Sequence, residues 1–96
     1  MKLGRLVLIE WVDSGRNPNS WAAFDDYPDP YILRCRSVGW LIHDGSECKV
    51  VAPHVMCESG HASAPDQGCG DMTIPTCSIT RMVDLEIPPG ASQARL

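Results

Sequence analysis

Apolar positions along this chain fall into strand-like runs separated by stretches rich in turn-forming residues. Leu6-Val7-Leu8-Ile9-Glu10-Trp11-Val12 is β-branched and aromatic, stops at Asp13-Ser14-Gly15, and predicts a first strand. The prolines and asparagines between Asn17 and Pro30 predict a long loop, with a short helical turn around Ser20–Asp25. Ile32 to His43 and Cys48 to Val55 flank Asp44-Gly45, a dipeptide that takes positive φ cheaply and favours a tight hairpin. On the first arm of that hairpin, Val38, Trp40 and Ile42 share the face expected to pack in the core, opposite Ser37, Gly39, Leu41 and His43. Gly39 is expected to mark a bend or bulge, and Pro53 to end the second arm or hold it at an edge.

A second long loop runs from Met56 to Gly70. Asp71-Met72-Thr73-Ile74 then predicts a short strand, Pro75-Thr76-Cys77-Ser78 a tight turn, and Ile79 to Ile87 a final strand. There Ile79, Val83, Leu85 and Ile87 recur at even spacing, with Arg81 as the exception. Trp11 and Trp40 sit among apolar neighbours and are expected to be buried or half-buried, and Met72 and Met82 to pack, either in the core or at a subunit contact. Residues 1–90 are read as one small domain and residues 91–96 as a flexible C-terminal tail.

The expected fold is all-β: a five-stranded antiparallel small barrel with two long loops. Val38-Gly39-Trp40-Leu41, Asp44-Gly45, Val50-Val51-Ala52-Pro53 and Ile74-Pro75-Thr76-Cys77-Ser78-Ile79 carry a resemblance to SH3-like and Sm-like small barrels. The same order resembles short tailed-phage proteins, mostly of unknown function. That resemblance implies a protein working in the host cytoplasm, and some compact phage proteins sequester immune signalling nucleotides.

Length and charge narrow the functions. A chain of 96 residues holds one core and no deep multi-part active site. Eight basic against twelve acidic side chains give a net charge of −4, which argues against coating a long nucleic acid. No run is long enough to span a bilayer, and Leu6–Ile9 is cut short by Glu10, so neither membrane insertion nor a secretory signal is expected. The reading is a cytoplasmic protein. Its five cysteines, an odd set, argue against a disulfide framework.

The residues offer three kinds of chemistry, each with a plainer role beside it. His54, Cys57, His61 and Cys69 have spacings usable by zinc but lack a paired-cysteine knuckle. The plainer role is buried thiols and loop histidines, so no metal or cofactor is expected, with a zinc-stabilised module as an alternative. Cys69 near Asp71, with His54 or His61, has no flanking pattern that would lower a thiol pKa, so catalysis is not expected. Asp25-Asp26 reads as a solvated turn.

Recognition of an anion is the third. Gln67-Gly68-Cys69-Gly70-Asp71 offers a glycine-rich loop whose amides can receive one, although it is not a Walker loop. Arg34 and Arg36 lie two apart on one strand face, and Trp21, Phe24 and Tyr27 can stack on a base. Their plainer roles are ion pairs to Asp25, Asp26 or Asp29 and aromatic pins for the loop. The reading is therefore a non-enzymatic protein binding a small nucleotide-like ligand through Trp21, Tyr27, Arg34, Arg36, His54, Gln67, Gly68 and Asp71. Its rival is an adaptor or inhibitor that grips a basic host protein through the acidic, aromatic loop 21–30. Exposed strand edges make a homo-oligomer the expected state.

Overall fold

The computed structural model describes residues 5–18, 21–56 and 65–88. They form strands β1 (Leu6–Ser14), β2 (Ile32–Asp44), β3 (Cys48–Ala52), β4 (His54–Met56), β5 (Gln67–Cys69), β6 (Met72–Pro75) and β7 (Ile79–Asp84). Two 3-10 turns, Phe24–Asp26 and Thr76–Ser78, complete the regular structure, with no α-helix among the described residues. The fold is all-β. A five-stranded antiparallel sheet runs in the order β6-β3-β2-β1-β7, and β4 and β5 form a separate two-stranded sheet. The expected tail, residues 91–96, lies outside the described residues.

The sheet curls. A flat five-stranded sheet would hold its edges about 19 Å apart, at about 4.8 Å per strand spacing. Here the edge strands β6 and β7 are joined by one 3-10 turn of three residues, a link that rises only about 6 Å. The Thr76 N–H donates to the carbonyl of Glu47 at 3.0 Å, and the Thr76 hydroxyl to that of Gly45 at 2.9 Å, pinning this link to the β2–β3 turn. No ladder joins β6 to β7 among the described residues, so the three-residue turn, and not strand pairing, links the two edges of the expected barrel.

The core is built from Val7, Ile9, Leu41, Val51 and Ile74, with Trp11, Ile79 and Met82 packed against it. Each such buried aliphatic side chain contributes about 1.5–3 kcal/mol. The expected core face of β2 is inverted. Val38 is 54% exposed, whereas Leu41 is 7% exposed and central. The register explains it: Gly39 pairs with Val7 and Ser37 with Ile9. Bulky β1 side chains thus fill the core while small β2 residues lie beside them. Met72 is exposed as well and takes no part in this core.

Two irregularities break the alternation that the sequence suggested. In β1–β7, Glu10 pairs with Arg81 and Trp11 with Ile79, so Thr80 is skipped. This bulge puts Ile79 and Met82 on the core face and sends Arg81 and Val83 to the other, which resolves the Arg81 exception. β7 ends at Asp84, short of the expected Ile87. In β2–β3 the shift falls between Leu41 and His43, not at Gly39. Gly39 instead marks a close approach, since a Cβ there would lie 2.9 Å from the Ala52 carbonyl oxygen. The β2–β3 turn spans Gly45 to Glu47, closed by the Gly45 N–H donating to the Cys48 carbonyl at 3.0 Å. Gly45 does not use positive φ; among the described residues only Gly70 does, at 73°. β3 stops at Ala52, before Pro53, as expected.

Candidate functional site

β1 and β2 outrun their neighbours. β7 pairs with β1 only from Val7 to Trp11, and β3 pairs with β2 only from Trp40 onward. The remainder, Val12–Ser14 against Ile32–Arg34, continues as a two-stranded ribbon with loop 15–31 beyond it. The base of that loop is tied by Tyr31, whose hydroxyl donates to the Arg16 carbonyl at 2.7 Å and accepts from the Arg16 N–H at 3.3 Å. Farther out, the expected helical turn is a 3-10 turn at Phe24–Asp26, and the Phe24 and Tyr27 rings meet at 5.7 Å.

This arm exposes large apolar side chains. Trp21 is 93% and Phe24 89% exposed, and Tyr27, Tyr31, Ile32 and Leu33 are exposed as well. Asp25, Asp26 and Asp29 are exposed between them. Single exposed hydrophobics are common, whereas this run gives one projection several large exposed apolar side chains in sequence. Tyr31, Ile32 and Leu33 escaped the sequence reading because they continue a strand pattern that normally implies burial.

On one face of the ribbon, Arg34 and Arg36 stand beside Val12 and Glu10. Glu10, Val12, Arg34, Arg36 and Thr80 line a groove of about 390 Å³. The Glu10 carboxylate meets Arg36 Nε at 3.4 Å and Arg81 Nε at 3.5 Å. Exposed pairs of this kind are weak and exchangeable. Arg34 has no ion-pair partner among the described residues and lines the same groove as Glu10, whose single carboxylate is shared by Arg36 and Arg81. Neither Arg34 nor Arg36 pairs with the loop aspartates as the plainer sequence role required. Glu10 and Arg81 were missed because only the long-range β1–β7 register joins them.

The remaining candidates lie on the small sheet. Gln67 and Gly68 belong to strand β5 and not to an anion-receiving loop, a correction enforced by their pairing with Met56 and Val55. This sheet covers Trp40 and Ile42, leaving a cavity of about 130 Å³ lined also by Val55, Pro65 and Gly68. His54 pairs directly with Cys69. The other two zinc candidates, Cys57 and His61, lie outside the described residues, and no metal-ligating cluster of three occurs among the described ones. Asp71 is exposed just after the Gly70 turn.

The candidate residues therefore occupy three surfaces and not one pocket: Trp21 and Tyr27 on the arm loop, Arg34 and Arg36 on the ribbon face, and His54, Gln67, Gly68 and Asp71 on and after the small sheet. No helix among the described residues is long and apolar enough to cross a membrane. No protein-family model, no curated protein and no solved structure matches this chain.

Proposed function

We propose that the chain is a non-enzymatic, SH3-like protein-interaction module that engages a protein partner through the arm. The observation that carries this reading is the exposure of Trp21 and Phe24 at the far end of a projecting ribbon, with Asp25, Asp26 and Asp29 among the aromatics. Aromatic anchors supply contact area at low entropic cost, and the acidic groups select a partner that presents positive charge. Photocrosslinking tests it directly. A photoreactive residue in place of Phe24 should give protein adducts of discrete mass in cells, whereas the same group at exposed Thr73 on β6 should not. Equal labelling from both positions would remove the reading.

A second reading is favoured by the groove alone: a small anionic, nucleotide-like ligand held by Arg34 and Arg36. Its support is the excess of guanidinium groups around Glu10 and a groove volume within the range of ligand sites. Calorimetric titration with nucleotides should then show binding that Arg34→Ala abolishes. Unaltered binding in that variant would dismiss this reading.

A further inference from the structure

The β1–β2 ladder leaves one strand edge open beside the arginines. The Leu41 N–H donates to the Arg5 carbonyl at 2.8 Å, which fixes the phase of the ladder. With Leu6 opposite Trp40 and Val12 opposite Arg34, Leu33, Cys35 and Ser37 turn their backbone groups toward β1. Ile32, Arg34, Arg36 and Val38 therefore turn theirs outward. β3 takes up that edge only from Trp40, and no hydrogen bond satisfies the outward groups of residues 32–38 among the described residues. Open edges recruit strands unless something blocks them. Here the outward residues include two arginines, so the edge discriminates by charge.

A second β2 strand is a poor occupant. An antiparallel pairing centred on Cys35 sets Arg34 against Arg36 of the other copy, and centring on Arg34 or Arg36 sets like against like. Opposed like charges destabilise a strand pair. The edge suits an extended segment with an acidic residue flanked by alternate positions able to donate.

The chain carries such a segment. In Tyr27-Pro28-Asp29-Pro30-Tyr31 the prolines fall at every second position. Tyr27 is extended, with φ −65° and ψ 135°, and the whole segment is exposed. Laid out as a strand, it directs the N–H groups of Tyr27, Asp29 and Tyr31 to one side. Pro28 and Pro30, which have no N–H, fall on the other, so one edge pairs and the other ends the sheet. The same phase sets the Asp29 carboxylate against Arg34 or Arg36 and brings a tyrosine ring near the other guanidinium. The segment cannot reach this edge in its own chain, because Tyr31 runs straight into Ile32, the first residue of β2.

We infer that the Tyr27–Pro30 segment of a second copy adds as an antiparallel strand to the open β2 edge at Ile32–Val38. The inference rests on the arm being a protein-interaction element and names its partner as the chain itself. Loop and edge are different surfaces, so the contact either closes by reciprocal exchange in a two-fold dimer or runs head-to-tail to a ring or a filament.

Sedimentation velocity of the full chain across a range of concentrations tests it. The wild type should form species larger than a monomer. Asp29→Arg, and separately Arg34→Glu with Arg36→Glu, should each weaken association by about tenfold or more. Because each variant keeps one intact half of the contact, mixing the two should restore association. All the substituted positions are exposed, and Asp29→Arg should unfold like the wild type. The Arg36→Glu variant, which sets a carboxylate opposite Glu10, should unfold at a somewhat lower midpoint but still cooperatively, which excludes misfolding. A monomeric wild type would overturn the inference, as would association untouched by either variant, which would mark nonspecific adhesion of Trp21 and Phe24. A monomer that still gives position-24 adducts with another protein fails here while the broader reading stands; a monomer without such adducts loses both. Dissolution of the assembly by added nucleotide would show that ligand and segment compete for the same arginines, and would also support the inference.

Discussion

Tyr31 closes the base of the arm on Arg16: its hydroxyl donates to the Arg16 carbonyl and accepts the Arg16 N–H. The Tyr31 ring lies where a side chain on Gly15 would be, since a Cβ there would fall 2.8 Å from a ring carbon and would collide with the Tyr31 carbonyl oxygen. This closure shapes the loop without belonging to the core. Tyr31→Phe should raise amide hydrogen exchange in residues 15–31 and cost at most about 1 kcal/mol globally. Gly15→Ala should loosen the same amides more, because backbone must move. Unchanged exchange in both would mean that the arm is held by other contacts.

The arm and the core respond differently to truncation. Trp21→Ser and Phe24→Ser remove side chains that pack on almost nothing in the monomer, so the urea midpoint of unfolding should shift by no more than about 0.5 kcal/mol in stability. Ile9→Ala and Ile74→Ala empty fully buried positions and should each cost about 2–5 kcal/mol. A large loss from Trp21→Ser would assign that ring a structural role and weaken its assignment as a contact residue.

Gly39 supplies a test of the corrected core face. Adding a methyl brings it to 2.9 Å from the Ala52 carbonyl oxygen and 3.1 Å from its carbon, both backbone atoms of a paired strand. Gly39→Ala should destabilise by about 1–3 kcal/mol, read from denaturant unfolding. A neutral outcome would mean that β2 and β3 separate at little cost.

Element type was legible where local chemistry decided it. The β-branched run at Leu6–Val12, the stop at Pro53 and the turn at Thr76–Ser78 all follow from side chains acting on their own backbone. Facing was less legible. Both Leu41 and Trp40 are large and apolar, and only the Val7–Gly39 register, set by distant residues, chooses between them. Bulges at Thr80 and Ile42 shift the alternation by one residue, and a period-two pattern has no means to announce them. The same limit governed the site. Arg34 and Arg36 could be placed on one face by spacing alone, whereas Glu10 meets Arg36 and Arg81 only through strand pairing.

Acid should expose the role of the β2–β3 turn. Asp44 accepts a hydrogen bond from Lys49 and lies 3.6 Å from Arg5. The Lys49 hydrogen bond, then the charges of Lys49, Arg5 and His43, outweigh desolvation and hold its carboxyl below the ordinary aspartate value. A depressed folded-state pKa means that the unfolded chain takes up the proton first as pH falls. The stabilisation is therefore fully present above about pH 4, the unfolded value, and is lost as pH drops through the lower folded value. Asp44→Asn cannot lose what it lacks. Its urea midpoint should lie below that of the wild type at neutral pH, and the gap should narrow below about pH 4. Lys49→Met should shrink the gap at neutral pH, because it removes the main cause of the shift. Asp44 is partly exposed, so added salt should reduce the difference too. Parallel pH curves for wild type and Asp44→Asn would show that the pair contributes nothing to folding and that the turn is held by the Thr76–Gly45 hydrogen bond instead.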